Sequence, residues 1–383
     1  MADSNEQLFD AANRHQTFLL RYGGTSSREI VTMLNAAERD LINRIAKRVD
    51  RLGPAARSTL GSKRLRAILK DVREQTRDLI AALHDTTRGN LVDLSMQEID
   101  IASRRLNEAV GVELNNFRPS PENLRTLVDK RAVGGRTLRK WFTRLGADRL
   151  GRLESAINLG VIEGDSTADI VRRFKAAEDV TRRSAKTMVR THINHVANQA
   201  REALYDANSD IVEKVRWTST LDGRTSSICK ARDGNTYPLD SGPRPPAHPN
   251  CRSITTPVLK SWASLAKPGT LKPGRGAADI DKLFQKNLRK QGLKPSQIKK
   301  IKRGARASMN GQVPGDLSYG DWLRRQPAGF QNDTLGKAKA KLFRDGGLSL
   351  DRFVEEPTGR GLTLAQIKTR NEAAWMKVIP KVE

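Results

Sequence analysis

The sequence predicts a mainly α protein with one small β-containing module (α+β), an elongated molecule assembled from several helical segments. Three observations predict this. Through most of the first 207 residues the apolar positions recur every three or four places, the spacing of one helical face. One stretch, 211–258, changes to alternating, β-branched residues punctuated by Gly and Pro. Hydrophobic residues make up 37%, aromatics 5% and charged residues 29%, a balance that suits helices with long solvated faces around a thin core.

The 383 residues leave room for two or three domains. Residues 1–117 read as an N-terminal helical region and 118–262 as helices leading into the β module. Residues 263–315 read as a basic Gly/Pro-rich linker or arm, and 316–383 as a C-terminal helical region. In the first region one helix follows Ile30, Leu34, Leu41, Ile45 and Leu52. Ser26 and Glu29 are placed as its capping box and Gly53-Pro54 as its end. A second run covers Leu65 to Leu83 and a third Leu91 to Val110. Ser120 then suits an N-cap with Pro121 in the first helical position. Helices are expected over about 121–131, 135–160, 166–176 and 178–207.

From Ile211 to Thr218 the alternation reads as a strand, with Asp222-Gly223 and Asp233-Gly234 as turns. Asn235 to Tyr237 and Ile254 to Val258 read as further short strands. Between them, Pro243, Pro245, Pro246 and Pro249 impose an extended loop. Beyond Leu317 helical spacing returns through Trp322, Leu323, Leu342 and Phe343, and Thr363 with Gln366 caps another helix. Gly134-Gly135 and Gly346-Gly347 read as helix ends. Trp141, Trp262, Trp322 and Trp375 read as core or interface anchors.

Charge narrows the function class. Lys and Arg number 69 against 43 Asp and Glu, a formal net charge of +26. Such a surface attracts polyanions and gains free energy from counterion release without reading sequence. Genomic DNA, bound non-specifically, is the expected partner. Ten Lys or Arg and no acid fall between Lys282 and Pro314, and Lys299, Lys300, Lys302 and Arg303 are the candidate DNA contacts. No apolar run is long enough to span a membrane. The polar N-terminus carries no signal-peptide pattern, so synthesis in a cytoplasm is expected. Two cysteines, Cys229 and Cys251, exclude a disulfide framework.

The densest motif runs from Trp217 to Pro257. Trp217 is followed by Asp222-Gly223-Arg224-Thr225, Cys229 and Asp233-Gly234. It closes on Pro245-Pro246-Ala247-His248-Pro249-Asn250-Cys251-Arg252. This resembles the signature of the phage Mu F-like minor head, or head morphogenesis, family. That family sets Asp-x-Arg-Thr and a Cys after a Trp-bearing strand, then a Gly turn, then Pro-Pro-x-His-x-x-Cys-Arg. The resemblance covers roughly 178–257. A second, looser likeness to phage minor head proteins covers 317–370. His192 and Ser253 depart from the family pattern, which more often has an acid and a further Cys at these places. The resemblance implies a virion structural protein of head morphogenesis, resident near the portal or capsid interior. Its partners would be the portal or the major capsid protein, with ejection alongside the genome in some members. No catalytic role is implied; the rival reading is a zinc-dependent nuclease, and a third is a host nucleic-acid-binding protein.

Cys229, His248 and Cys251 form the one cluster with metal-ligand chemistry. Thiolates and imidazole suit zinc in a structural site; no fourth ligand stands out, and Asp222, His195 and His192 are candidates. Two other arrangements are open: both cysteines as small buried hydrophobes, or a reversible disulfide. Asp222, Arg224 and Arg252 read as structural, with Asp222 fixing its turn and pairing Arg252. His192 and His195, three apart, share a helix face.

Overall fold

The computed structural model describes residues 2–50, 62–110, 116–265, 270–271, 305–308, 311–314, 317–355 and 358–378. The chain is mainly α with small antiparallel sheets. Four long helices make its body: α1 (Ala2–Asp50), α2 (Ser62–Val110), α4 (Leu138–Ile162) and α5 (Thr167–Ala207), with α3 (Pro121–Lys130) against one side. α1 and α2 have 49 residues each, a length of about 74 Å at the helical rise. Three apolar clusters follow one another along the bundle. Leu41, Val72, Leu153 and Phe174 fill one end, and Leu34, Leu83, Phe142 and Val189 fill the middle. Ile99, Leu106 and Leu204 close the other end, where they meet Val215 and Leu259 of the sheet.

Several expected breaks are absent. α1 does not start at Ser26. It runs unbroken from Ala2, and Ser26 is buried in mid-helix rather than capping. The physical reason is an eleven-residue spacing in the buried stripe, Leu8, Leu19, Ile30 and Leu41, about three turns per step. Between these positions His15 and Gln16 bond Glu98 and Arg252 on other elements, and Asn13 and Ser27 bond carbonyls of α1 itself. The runs expected over 65–83 and 91–110 are one helix. Its seam, Thr86 to Asn90, contains poor helix formers but is held from outside. Arg88 donates to both carboxylate oxygens of Asp129 at 2.6 and 2.7 Å. Asn90 donates to Glu29 and accepts from the Tyr22 hydroxyl. The two helices expected over 166–207 are likewise one, and the seam residue Glu178 is fully buried against Arg149 of α4. The caps at Ser120 and at Thr363 with Gln366 form as the spacing predicts.

The sheet has β1 (Val212–Thr218) in the centre, flanked antiparallel by β2 (Thr236–Pro238) and β3 (Ile254–Leu259). α6 (Ser227–Arg232) lies between β1 and β2, and the proline loop joins β2 to β3. α7 (Trp262–Leu265) follows. A hairpin, β4 (Ala305–Ser308) and β5 (Gly311–Pro314), sits within the stretch read as linker. Lys299, Lys300, Lys302 and Arg303 lie outside the described residues.

The C-terminal part comprises α8 (Tyr319–Arg324), α9 (Ala328–Leu335), α10 (Lys337–Arg344), a 3-10 turn at Leu350–Phe353, the short pair β6 (Val354–Glu355) and β7 (Arg360–Gly361), α11 (Leu364–Arg370) and α12 (Glu372–Val378). Trp322, Phe343 and Ile367 centre its core, which takes in Leu221 from the turn after β1. Trp141 and Trp375 are part-buried. No described helix is long and apolar enough to cross a membrane.

Candidate metal centre and the tethered proline loop

The loop from Pro243 to Asn250 has no large apolar side chain, and beyond the packing of Ala247 its position depends on polar tethers. Cys229 reaches it from α6, whose first turn is capped by the Ser226 side chain. Its Sγ lies 3.3 Å from His248 Nε2 and 3.7 Å from Cys251 Sγ. Both thiols are buried and packed beneath Trp217. All three ligand atoms lie within 4.8 Å of one another.

This arrangement fits zinc. Ligands about 2.3 Å from a tetrahedral ion sit roughly 3.7 Å apart, which is the separation of the two sulfurs. His248 is oriented for the role. Its Nδ1 lies 2.9 Å from Pro249 O, and because a carbonyl only accepts, that nitrogen carries the proton. Nε2 then keeps its lone pair toward Cys229, the carbonyl-fixed tautomer common among metal-bound histidines. The hydrogen bond from Cys229 favours the thiolate of Cys251 and pulls its pKa down, while the same contact and burial push Cys229 up. The Cys251 sulfur beside His248 raises that imidazole, against the effect of burial.

None of the three expected fourth ligands joins the cluster; among the described residues it holds only these three. Asp222 is taken by Arg252, which donates to both its carboxylate oxygens at 2.6 and 2.7 Å. Burial would raise Asp222, but Arg252, Thr225 and Arg224 together hold its carboxyl below its ordinary value. Asp222 also accepts from Arg224 N and the Thr225 hydroxyl, closing its turn. Arg224 itself is exposed, with a loose 3.7 Å contact to Asp222. His192 is buried in α5, with Nδ1 2.9 Å from Met188 O. Burial lowers His192 and His195 to about 4, so both are neutral near pH 7.

The sequence reading missed most of the tethers. Asn194 of α5 donates to Cys251 O at 2.9 Å and Ser253 O at 3.1 Å, and Asn198 accepts from Thr255 N. These two side chains satisfy the free edge of β3. Asn is a weak helix former that competes for backbone bonds, so an Asn at i and i+4 in mid-helix is a signal that could have been read. Arg244 donates to four carbonyls, those of Ser241, Pro243, Pro238 and Leu239, and pairs with Glu202. Burial raises Glu202 to about 7. Asn250 adopts φ 57°, a left-handed conformation that Asn tolerates, and is held by Thr191 and Thr187. Gln16 of α1 donates to Arg252 O and Thr220.

The C-terminal part docks on the same motif. Asp233 accepts from Ser219 N and Tyr319 N, and the Tyr319 hydroxyl donates to Asp222 O. Lys230 donates to Thr334 O.

Residues 152–256 match the family described as Phage Mu protein F like protein. The chain carries a phage Mu F-like domain. The match takes in the end of α4, all of α5, the central strand, α6, the proline loop and the start of β3. It therefore unites the Cys229–His248–Cys251 cluster with the helix that tethers it, and does not extend to 317–370. Searches of curated proteins and of solved structures returned no match.

Proposed function

We propose that this protein is a minor structural component of the phage head, seated at the portal or the inner capsid face and not acting as an enzyme. The Mu F-like match carries the reading. Two features support it: a net charge of +26 suited to residence beside packaged DNA, and long helices that offer extended surfaces to a partner protein. Genome contact runs through the basic stretch that includes Lys299, Lys300, Lys302 and Arg303, by phosphate neutralisation without sequence readout. Escort of the DNA at ejection is part of the same proposal.

In this reading Cys229, His248 and Cys251 hold one zinc ion, which supplies a rigid crosslink between α6 and the proline loop. Mass spectrometry of purified particles tests the virion role. The chain is expected in full particles and depleted in particles that have ejected their DNA; absence from intact particles would overturn the role. Metal-dependent DNA cleavage that disappears in His248→Ala would instead favour the nuclease.

A further inference from the structure

A cavity of about 270 Å³ opens beside the tethered loop, between α1, α5 and the end of the loop at Cys251. Three guanidinium-bearing residues line it from three separate elements: Arg190 of α5, Arg224 of the Asp222 turn, and Arg252. No lining residue is acidic. Arg252 is neutralised by its bidentate bond to Asp222. That carboxylate is thereby committed, and Arg224 has only the loose 3.7 Å contact to it. Among the described residues Arg190 has no acidic partner. Two planar donor forks therefore border one cavity, Arg190 with no acidic partner among the described residues and Arg224 with only that loose contact.

The opposite wall is apolar, formed by Leu19, Leu20 and Ile193. Leu19 and Ile193 belong to the core, and Leu20, 45% exposed, is the part of this wall open to a ligand. The floor is Gly23, in the middle of α1. Glycine inside a helix is unfavourable relative to alanine, and packing does not require it here. A Cβ at this position would meet Arg190 Cγ at an ordinary 3.7 Å and Ile193 Cδ1 at 3.9 Å. What the missing side chain does is leave the cavity empty.

We propose that this cavity binds a phosphate monoester attached to a flat, apolar-faced group, that is, a nucleotide. A phosphate monoester carries about 1.5 to 2 negative charges near pH 7, which Arg190 and the loosely paired Arg224 can answer, and guanidinium forks are suited to phosphate oxygens. A base would lie against the exposed Leu20 side chain at the edge of this wall. The volume lies just below the usual range of about 300–1,000 Å³ for small-ligand sites, which leaves room for one nucleotide with part of it in solvent and none for a duplex. The phosphate can come from a free nucleotide or from the 5′ end of a single strand. Either is separate from the non-specific duplex contact assigned to the basic arm.

Calorimetric titration of the full chain tests this with inorganic phosphate, a deoxynucleoside 5′-monophosphate and the same nucleoside without phosphate. It adds a short single-stranded oligonucleotide with and without a 5′-phosphate. The monophosphate is expected to bind saturably, at least about tenfold more tightly than the nucleoside. Arg190→Gln with Arg224→Gln should weaken it by at least about tenfold again. These side chains are surface-facing, so the fold should be retained, and circular dichroism confirms this. Gly23→Leu should block the cavity while Gly23→Ala still binds. Replacing Lys299, Lys300, Lys302 and Arg303 with Gln should leave this binding unchanged, which separates it from the duplex contact. Arginine-dependent binding of the mononucleotide alone assigns a free nucleotide, and tighter binding of the 5′-phosphorylated strand assigns a nucleic-acid end. No saturable binding of any phosphate probe at millimolar concentration, or binding indifferent to both arginines, overturns the proposal.

Discussion

Replacing Asp222 separates the polar tether of the proline loop from the metal tether. The side chains of Asp222 and Arg252 are 15% and 20% exposed, and two charge-assisted bonds of 2.6 and 2.7 Å join them. Removing one partner of a fully buried pair costs about 3–5 kcal/mol. The residual exposure lets water screen the abandoned guanidinium, which reduces the figure to about 2–3 kcal/mol. Asp222→Ala also strips the turn of the acceptor for Arg224 N and Thr225. Asp222→Asn retains that acceptor and loses only the charge, so its cost should be about 1–2 kcal/mol, the worth of bonds to a charged group.

Hydrogen exchange resolved by peptide is the suitable assay, because it reports local opening. At about 1.4 kcal/mol per factor of ten, peptides across 219–258 should exchange roughly 30- to 150-fold faster in Asp222→Ala. Peptides in α2 should be unchanged. The pH dependence has a definite sign. The folded pKa of Asp222 lies below its ordinary value. Its contribution is therefore complete above the unfolded pKa of about 3.9 and is lost as pH falls through the folded value. The wild-type loop should loosen only in that acid window, and Asp222→Asn should lack the step. Exchange across 219–258 that matches wild type in both variants would refute the tether.

Three further outcomes follow from the geometry. The purified chain should contain about one zinc, and Cys251→Ala should lose it and destabilise the module; a metal-free protein whose loop is equally well protected would leave thiol packing as the tether. Arg149→Met should destabilise the bundle by about 3–5 kcal/mol in denaturant unfolding, because it strands Glu178 at zero exposure, whereas Arg149→Met with Glu178→Met should come close to neutral. Lys230 is buried, and desolvation lowers it from 10.5 to about 8. The unfolded chain then binds more protons between these values, so docking of 317–378 should strengthen as pH rises from about 8 to 10.5. Lys230→Met should flatten that slope, and an unchanged slope in the variant would remove Lys230 as its source.

What could be read in the sequence was whatever has a short-range cause. Alternation at Val215 and Trp217, the Ser120-Pro121 start and the Thr363 capping box all report on neighbours within four residues. The long helices were cut too short because their continuity has long-range causes. Arg88 through Asn90 is held by Asp129, Glu29 and Tyr22, and none of these is visible from the local run. The same limit shaped the site. Cys229, His248 and Cys251 stand out by residue type, but Asn194, Asn198, Glu202 and Gln16 look like ordinary polar helix residues until the sheet is laid against them. The fourth-ligand candidates failed for a related reason: Asp222 had a nearer cation, and His192 is turned to its own helix carbonyl.

The placement of these tethers on α5 has a consequence for how the module can fail. Glu178 of α5 holds the bundle through Arg149. About two and a half to seven turns further on, Thr187, Thr191, Asn194, Asn198 and Glu202 hold successive parts of the loop and β3. The loop is thus fixed along one rigid rod that the bundle also grips. A single lost tether leaves the others in register, so each deletion alone should cost less than its own bonds suggest. Loss of the Cys–His cluster together with the Asp222–Arg252 pair frees Cys251 and Arg252 at once, adjacent residues with shared partners. Their combined cost should therefore exceed the sum of the two by more than the few tenths of a kcal/mol expected of independent sites. Strict additivity in the double variant would mean that the two tethers hold separate segments, and that the loop is not positioned as one unit.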